Sequence, residues 1–439
     1  MKSDRQADWK SMPLEDWMAA IIDYRGKTPE KTSSGIPLIT AKIVKDGRIA
    51  DPEEFIAEEA YEQWMRRGIP EPGDVVLTTE APLGEVAQLD ERKVALAQRI
   101  ITLRGKPGLL DNTYLKFALQ SSSLQEQLHG RSSGSTVTGI KQSELRKLQL
   151  SFPGIQEQKR VANILRSLDD KIDLNRCINQ TLEAMAHAIF KSWFVDFEPV
   201  KSKIAAKQED RDPLRAAMST ISGKSDSELD ALSPEQLDTL AATAALFPDE
   251  MEESELAEVP KGWSVQRVGN LLELVYGKAL KSTDRKEGTV PVYGSGGITG
   301  YHDAALVPHG SIIVGRKGTV GSLYWEDDPF FPIDTTYYVR PLKAPLTYCY
   351  YAMQTLGLEK MNTDAAVPGL NRENAYRLEL VQPESSVLTK FDVEVSTLRK
   401  AIRANAGSIK ALVDLRDALL PKLLSGELSV TETIEEARG

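Results

Sequence analysis

Three groups of residues in this chain have side-chain types that occur in catalytic motifs, and none of the three predicts a catalytic site. The first is Asp74 followed by Glu91-Arg92-Lys93, the loose pattern of a nuclease that binds magnesium. Such patterns often arise by chance, and Asp74 lies in a PGDVV turn before a predicted strand. The corresponding position of an internal repeat, described below, is Ser311. A nuclease site is therefore not predicted.

Methyl transfer and triad hydrolysis are excluded on similar grounds. An adenine methyltransferase needs an Asn/Asp-Pro-Pro-aromatic motif, and Asp328-Pro329-Phe330 lacks the second proline, while the glycine-rich YGSGGITG is not followed by a helix-like segment. The histidines have no Ser or Cys at a recognisable spacing, and they are His129, His187, His302 and His309. Cys177 and Cys349 have no metal-ligand spacing. We expect no catalysis, metal or cofactor on this chain.

The elements that must position any functional residue are clearest in residues 153–199, where apolar residues recur at alternating steps of four and three. This seam consists of Val161, Leu165, Leu168, Ile172, Asn175, Asn179, Leu182, Ala186 and Ile189. The spacing is typical of a coiled coil. Since Pro and Gly are absent between Val161 and Trp193, one helix of about 48 Å is predicted. A seam of this length needs a partner.

The predicted partner lies 230 positions later in the same chain. Its seam consists of Phe391, Val395, Leu398, Ile402, Asn405, Ile409, Leu412, Arg416 and Leu419. Asn405 recurs at the position of Asn175, and a buried asparagine in such a seam typically fixes the register at some cost in stability. We therefore expect an intramolecular antiparallel coiled coil.

The segment before each helix repeats one order of motifs. In residues 1–150, IPLIT, DVVLTT and QRIITL are typical of strands, and TYLKFALQSSSLQEQLHG is typical of a helix. Residues 259–383 repeat this order; for example, Gly26-Lys27 matches Gly277-Lys278. The predicted fold class is α+β, with two repeated α/β domains separated by two long helices. An antiparallel helix pair would place the two domains at opposite ends, related by an approximate two-fold axis.

Charge and hydropathy place few limits on function. Residues 225–258 hold eleven acidic side chains and no Lys or Arg, so the net charge of −10 leaves +1 for the rest of the chain. This acidic stretch is predicted to be a solvated linker, and nucleic-acid binding is not excluded. The N-terminal MKSDRQADWKSM has no apolar signal-peptide core, and no run approaches the roughly 20 apolar residues that span a bilayer. A cytoplasmic location is expected.

Several motifs resemble those of a known family. LDDKIDLN, INQTLEAMAHAIFKSWFVDFEP and LRDALLPKLLSGEL look like the specificity subunit of type I restriction-modification systems. VPVYGSGGITGYHD, IIVGRKGTVGSLYW and PFFPIDTTYYV resemble a common variety of that family's target-recognition domain. The resemblance covers nearly the whole chain, although the first recognition domain is matched mainly by position and framing motifs.

The resemblance implies a DNA-binding subunit whose two recognition domains each recognise half of a bipartite target. It implies that this chain directs adenine methylation by two partner methyltransferase subunits, which hold S-adenosylmethionine, and restriction by further subunits if these join. The domain bounds would be target-recognition domain 1 at 1–153, the central helix at 154–198, an acidic linker at 199–258, target-recognition domain 2 at 259–383, the C-terminal helix at 384–426 and a tail at 427–439. The paired helices would act as spacer and docking surface.

Residues that contact DNA are predicted from basic, amide or hydroxyl side chains in turns, where phosphate approach and base contact are both possible. In the second domain these are Lys278, Ser295, Arg316, Lys317 and Arg372. In the first domain they are Lys42, Lys45, Thr78, Thr79, Arg131 and Lys141, with the two threonines replacing the basic pair of the second. The two domains should then recognise different sequences.

Trp193, Phe194 and Phe197 are predicted to bind the methyltransferase partners together with the exposed sides of the helices, because large aromatics clustered at a helix end form either core or interface. The alternative is that these rings pack on their own domain. For the whole chain, the main alternative is a structural adaptor whose coiled coil joins proteins. A fused single-chain modification enzyme is a third possibility that the missing motifs disfavour.

Overall fold

The computed structural model describes residues 9–24, 26, 28–134, 138–254, 258–361 and 369–428. These residues form two compact units. The first unit contains the described residues up to Asn175 and from Gly407 onward, and the second contains Arg176–Ala406. Among the described helices, none is long and apolar enough to cross a membrane.

The globular part of the first unit, residues 9–152, is called the first head. Its strands are β1 (Lys10–Pro13), β2 (Met18–Asp23), β3 (Ile36–Ile39), β4 (Val44–Lys45), β5 (Arg48–Ile49), β6 (Phe55–Ile56), β7 (Val75–Thr79), β8 (Leu83–Gln88), β9 (Ala95–Leu96), β10 (Ile100–Gly105) and β11 (Gln149–Phe152). Its helices are α1 (Leu14–Trp17), α2 (Tyr61–Trp64), α3 (Asn112–Gln120), α4 (Ser122–Gly130) and α5 (Gln142–Leu145). Strands β2, β10, β7 and β8 form the main sheet in that order.

The main sheet of the first head is buried by helix α3 and by the smaller sheet of β6, β3 and β9. Every residue of β7 is buried, as expected for a central strand made of VVLTT. Asp111 caps α3 by accepting a hydrogen bond from the Tyr114 backbone, and Ser121 ends α3 and caps α4 in the same way. The long predicted helix is therefore two shorter ones.

A single helix, α6 (Ile155–Phe194), follows the first head, as predicted. The predicted acidic linker after it is instead folded into α7 (Glu198–Gln208), α8 (Pro213–Ser222), α9 (Asp226–Asp230) and α10 (Pro234–Ala245). Ala217, Met218, Leu229 and Ala244 form a small core. Capping boxes begin α9 and α10. These sequence motifs favour helices, and a prediction based on net charge alone does not take them into account.

The second head, residues 258–382, contains β13 to β22 after β12 (Met251–Glu253). These strands are β13 (Glu258–Pro260), β14 (Ser264–Arg267), β15 (Leu272–Tyr276), β16 (Val290–Gly294), β17 (Gly297–His302), β18 (Ser311–Gly315), β19 (Leu323–Glu326), β20 (Phe331–Pro332), β21 (Thr336–Pro341) and β22 (Glu379–Gln382). Helices α11 (Val268–Leu271), α12 (Leu346–Gln354) and α13 (Arg372–Tyr376) precede the long α14 (Ser385–Leu424).

The two heads share one topology, which supports the repeat seen in the sequence. In the second head the main sheet has the order β15, β21, β18, β19, and it matches β2, β10, β7, β8 of the first. Each head also pairs one strand in parallel, β3 with β9 and β16 with β20. The short outer pair β14–β22 corresponds to β1–β11 and leads directly into the long helix.

Helices α6 and α14 pack together as the predicted antiparallel pair. Within the second unit, Asn405 Nδ2 donates to Asn179 Oδ1 at 3.0 Å and Arg399 Nη1 donates to Glu183 Oε2 at 2.7 Å. Residue numbers therefore increase along one helix as they decrease along the other, which is the antiparallel arrangement. Asn405 therefore contacts Asn179 rather than its repeat equivalent Asn175. In an antiparallel pair, a step forward along one helix faces a step backward along the other, so Asn405 does not have to face its repeat equivalent.

Candidate nucleic-acid interface

Tyr276 is the centre of a surface cluster in the second head. It ends β15 and lies opposite Tyr337 of β21, with ring centroids 4.9 Å apart. Tyr337 is buried, and its hydroxyl donates to the Leu370 carbonyl at 3.0 Å. Burial, followed by the Tyr276 hydroxyl, raises the pKa of Tyr337 to about 12, so this hydroxyl remains a donor at neutral pH. Tyr276 itself is 45% exposed.

Two arginines from distant parts of the chain lie against the Tyr276 ring. The Cζ atom of Arg316 is 4.9 Å from the ring centroid, and that of Arg372 is 5.2 Å away. Both distances are within the range of a cation–π interaction. One half-exposed ring thus holds two guanidinium groups of like charge, both of which were predicted from the sequence as DNA contacts.

Backbone hydrogen bonds fix the main chain at Arg316, and a helix cap fixes the main chain next to Arg372. The Arg316 N–H donates to the Thr335 carbonyl at 2.9 Å, and the Arg316 carbonyl accepts from Leu370 at 2.8 Å. Arg372 is the first residue of α13, whose cap Asn371 accepts two backbone N–H groups. In the described part of the chain, Arg372 Nε is buried without a hydrogen-bond acceptor, since Glu373 Oε1 lies 3.6 Å away. A buried donor of this kind calls for an explanation.

The other predicted residues of the second head lie in neighbouring turns. Lys317 is exposed next to Arg316, and its backbone forms an isolated bridge with Gly369. Ser295 Oγ accepts from the Thr319 backbone at 3.3 Å, in the loop that closes over this turn. Lys278 is exposed, and its N–H donates to the Pro332 carbonyl at 3.1 Å. The structure therefore brings Arg316, Lys317 and Arg372 together with these turns.

The predicted residues of the first head are less concentrated. Lys42 and Lys45 are exposed at the β4–β5 hairpin and its approach. Arg131 is partly exposed and forms an ion pair with Glu144 at 3.4 Å. Lys141 is exposed at the start of α5. All four basic residues keep surface that a ligand could contact.

Thr78 and Thr79 are buried, so the prediction that their side chains contact DNA is wrong. They are consecutive residues of the central strand β7, so their side chains point to opposite faces of the sheet, and both faces are covered there. Thr78 Oγ1 accepts from the Glu85 backbone at 2.9 Å. The sequence alignment of the two turns was also displaced by one residue: the backbone bridges pair Glu80 with Gly139 and Lys317 with Gly369.

Two residues of these surfaces were not predicted from the sequence. Tyr276 immediately precedes Gly277-Lys278, and an aromatic residue beside a basic turn was the available signal. Arg99 of the first head is equivalent to Thr335 of the second. The Arg99 carbonyl accepts from the Thr79 N–H, and the Thr335 carbonyl accepts from the Arg316 N–H in the same way. No local signal identifies Arg99, since the two loops share no residue pattern.

A model of the family described as the type I restriction modification DNA specificity domain matches residues 6–184 and 260–379. The two matches cover both heads and more than half of the chain. The chain belongs to this type I restriction-modification specificity family. Subunits of this family recognise DNA and are not catalytic, as the sequence indicates for this chain.

Individual relatives agree with the family match. The chain is 31% identical over 317 residues to the HindI specificity subunit of Haemophilus influenzae, covering 64% of this chain and 69% of that protein. It is 25% identical to the MjaIX specificity subunit of Methanocaldococcus jannaschii, covering 92% of this chain and 90% of that protein. The fold is similar to the crystal structure of an S subunit from M. genitalium, with a TM-score of 0.55, 18% identity and coverage of 97% and 98% of the two chains.

The aromatic residues predicted to bind partners of this specificity subunit lie inside it. Trp193, Phe194 and Phe197 are 3%, 4% and 9% exposed. The Trp193 ring packs edge-on against Phe247 at 5.0 Å, and Phe197 packs against Trp263 at 5.9 Å. The prediction of partner binding is therefore wrong for these side chains. The folded segment after α6 supplies Phe247 and removes the cluster from the surface.

The nuclease-like acid Asp74 also has a structural role. It is 1% exposed, and its two carboxylate oxygens accept from Arg104 Nε and Nη2, both at 2.8 Å. This bidentate pair fixes the turn before β7 to β10, which comes three strands later in the sequence but is adjacent to β7 in the sheet. Asp74 has a partner that accounts for its burial without a metal ion.

Proposed function

We propose that this specificity subunit recognises a bipartite DNA target, with one half recognised by each head, and directs adenine methylation and restriction by partner subunits. The family match to both heads and their common strand order support two similar recognition units. The different residues at equivalent turns, Arg316-Lys317 in one head and Thr79-Glu80 in the other, support two different half-sites. S-adenosylmethionine would bind to the partner methyltransferase, and the complex would act in the cytoplasm.

The observation that carries the proposal for the second half-site is the pair of arginines on Tyr276. Arginine most often recognises guanine, by donating to O6 and N7 in the major groove. A guanidinium that is already held by a ring and by backbone contacts loses less entropy when it binds. Arg316 and Arg372 would contact bases or adjacent phosphates, while the exposed Lys317 and Lys278 would contact phosphates. Ser295 would contribute through the neighbouring loop.

Substitution of each arginine tests this assignment. For Arg316→Ala and Arg372→Ala, a base contact should cost about 1–3 kcal/mol of discrimination at one position of one half-site. A phosphate contact should instead weaken binding to all sequences and reduce the salt slope by about 1. Binding would be measured with duplexes in which each half-site is scrambled in turn, using the complex with its modification subunits.

Arg340→Ala is the matched control. Arg340 is in the same strand as Tyr337, is 57% exposed and forms an ion pair with Glu273 at 2.9 Å. Its loss should leave both affinity and discrimination unchanged. If Arg316→Ala and Arg372→Ala also leave them unchanged, the Tyr276 cluster is not a DNA contact. An absence of any sequence preference in the unmodified chain would contradict DNA recognition itself and favour the adaptor function.

The partner surface is part of the same proposal, with two modification subunits bound to the long helices. Since the aromatic cluster is buried, the exposed apolar residues of α6 replace it as candidates. Ile178 and Met185 are 38% and 46% exposed and lie seven residues apart, so they share one helix face outside the seam. Large apolar side chains on one exposed face suit a partner helix.

Charged substitutions on this face test the partner surface. Ile178→Lys and Met185→Lys should reduce copurification with the modification subunit, because burial of an unpaired ammonium in an interface is costly. Gln180→Lys is the control, since Gln180 is exposed on the same helix and faces a different direction. Equal recovery of the modification subunit with all three variants would exclude this face.

A further inference from the structure

The first head contains a cavity of about 260 Å³ beside the turn that ends β9. Its lining includes polar and basic residues, and they are Thr28, Lys31, Thr40, Lys42, Gln98 and Arg99. Lys31 is neutralised by Glu54 at 2.8 Å, which also lines the cavity. Of these residues, only Lys42 was predicted from the sequence to contact DNA.

The backbone places this cavity where the second head has its arginine cluster. In the first head, the Ala97 N–H donates to the Ile39 carbonyl at 2.9 Å. In the second head, the Ile333 N–H donates to the Tyr293 carbonyl at the same distance. Since Ala97 and Ile333 are thus equivalent, the residues two positions later, Arg99 and Thr335, are equivalent too. The cavity of the first head and the Arg316 turn of the second therefore occupy the same place in the repeated fold.

Arg99 is held in an unfavourable backbone conformation at this place. Its φ angle is +73°, a region that non-glycine residues seldom adopt. Its Nε lies 3.1 Å from Glu80 Oε1, and the two side chains are 52% and 42% exposed. An exposed ion pair contributes little to stability, so it does not account for an arginine where glycine would be less strained. Strain that persists at a ligand-binding surface points to function.

Arg99 and Glu80 have complementary hydrogen-bonding groups for one base pair. With Nε directed to Glu80, the terminal Nη groups of Arg99 match guanine O6 and N7, and a carboxylate oxygen of Glu80 matches the amino group of the paired cytosine. Gly139 permits this arrangement, because a Cβ atom there would lie 3.1 Å from Glu80 Cβ and 3.4 Å from its Oε2.

We infer that Arg99 and Glu80 recognise a G·C base pair in the half-site of the first head. The inference rests on the proposed function and adds the specificity-determining residues of the first head. Arg99 donates to guanine, and Glu80 accepts from cytosine while it orients Arg99. Lys42, exposed at the rim of the cavity, contacts a neighbouring phosphate. The second head has Thr335 and Lys317 at the equivalent positions and so recognises a different base pair.

The test is selection from duplexes with both half-sites randomised, using the full chain with its modification subunits. Arg99→Gly removes the side chain and suits the positive φ, so the fold should be kept. Arg99→Lys keeps the charge without the planar fork. Both should reduce the preference for G·C at one position about 10- to 100-fold, corresponding to a good bidentate contact. Glu80→Ala removes the acceptor, so it should reduce the preference at the same position, and loss of its negative charge should strengthen binding to all duplexes.

Arg92→Ala is the matched control in the same head. Arg92 is 46% exposed and forms an ion pair with Asp90 at 2.7 Å, and it does not line the cavity. This variant should select the unmodified sequence. Arg316→Ala, included in the same selection, should change only the other half-site.

The inference is overturned if Arg99→Gly and Arg99→Lys select the same sequence as the unmodified chain, or if the affected base pair is not G·C. In that case a changed half-site with Arg316→Ala would leave the proposed function standing. If the unmodified complex selects no sequence at all, both the proposed function and this inference fail.

Discussion

Asp169 joins the first head to both long helices, and its loss should destabilise the first unit strongly. Its Oδ2 accepts from Lys116 Nζ of α3 at 2.6 Å, and its Oδ1 accepts from Arg416 Nη1 of α14 at 3.0 Å. The side chains of Lys116, Asp169 and Arg416 are only 11%, 16% and 24% exposed. Removal of one partner from a buried ion pair typically costs about 3–5 kcal/mol.

For Asp169→Asn we expect the lower end of that range, about 3 kcal/mol. Arg416 keeps a second carboxylate, because its Nη2 lies 2.8 Å from Asp417 Oδ1. Lys116 has no such alternative in the contacts that the structure describes, so most of the cost comes from its buried ammonium. Asp170→Asn is the control: Asp170 is 70% exposed and 3.7 Å from Arg166, and its loss should cost less than about 1 kcal/mol.

Hydrogen exchange of the peptides that cover α3 and residues 161–175 should measure the change, since a chain of two units need not unfold in one step. Asp169→Leu combined with Lys116→Met should recover most of the lost stability, because the buried ammonium is then removed with its partner and Arg416 keeps its ion pair with Asp417. If Asp169→Asn lowers local protection no more than Asp170→Asn does, the ion pairs do not hold the first head to the helices.

Two further predictions concern the helix pair and the thiols. Asn405→Leu should lower the free energy of unfolding by about 1 kcal/mol, because it removes the donor to Asn179. Replacement of both asparagines by leucine should stabilise the helix pair but make its register less specific. Chemical denaturation of the two single variants and the double variant measures both effects. Cys177 is exposed, whereas Cys349 is 1% exposed and burial raises its pKa to about 12. Because the thiolate is the reactive form, a thiol reagent at pH 8 should modify Cys177 alone in the native chain, and Cys177→Ser should abolish native labelling; rapid modification of Cys349 before unfolding would contradict the buried site.

The sequence alone determined the long helices, the repeat and the family. A heptad spacing is a local property, and the constant offset of 230 positions between the two seams needs no knowledge of the fold. The β-branched runs VVLTT and IITL likewise correspond to β7 and β10. The predicted turn at Arg316-Lys317 follows β18, which pairs with β19 as an antiparallel hairpin.

The tertiary structure decided which side chains of these elements reach the surface. Thr78 is near the end of the hydrophobic strand β7 and Arg316 directly follows the hydrophobic strand β18. Thr78 is nevertheless buried, with its hydroxyl accepting from β8, while Arg316 lies against Tyr276, which is 40 positions earlier in the chain. Trp193 is buried because Phe247 returns to it from the folded acidic segment. Burial depends on contacts with segments that are distant in the sequence. The residues of a turn or helix end do not by themselves indicate which segments will cover them.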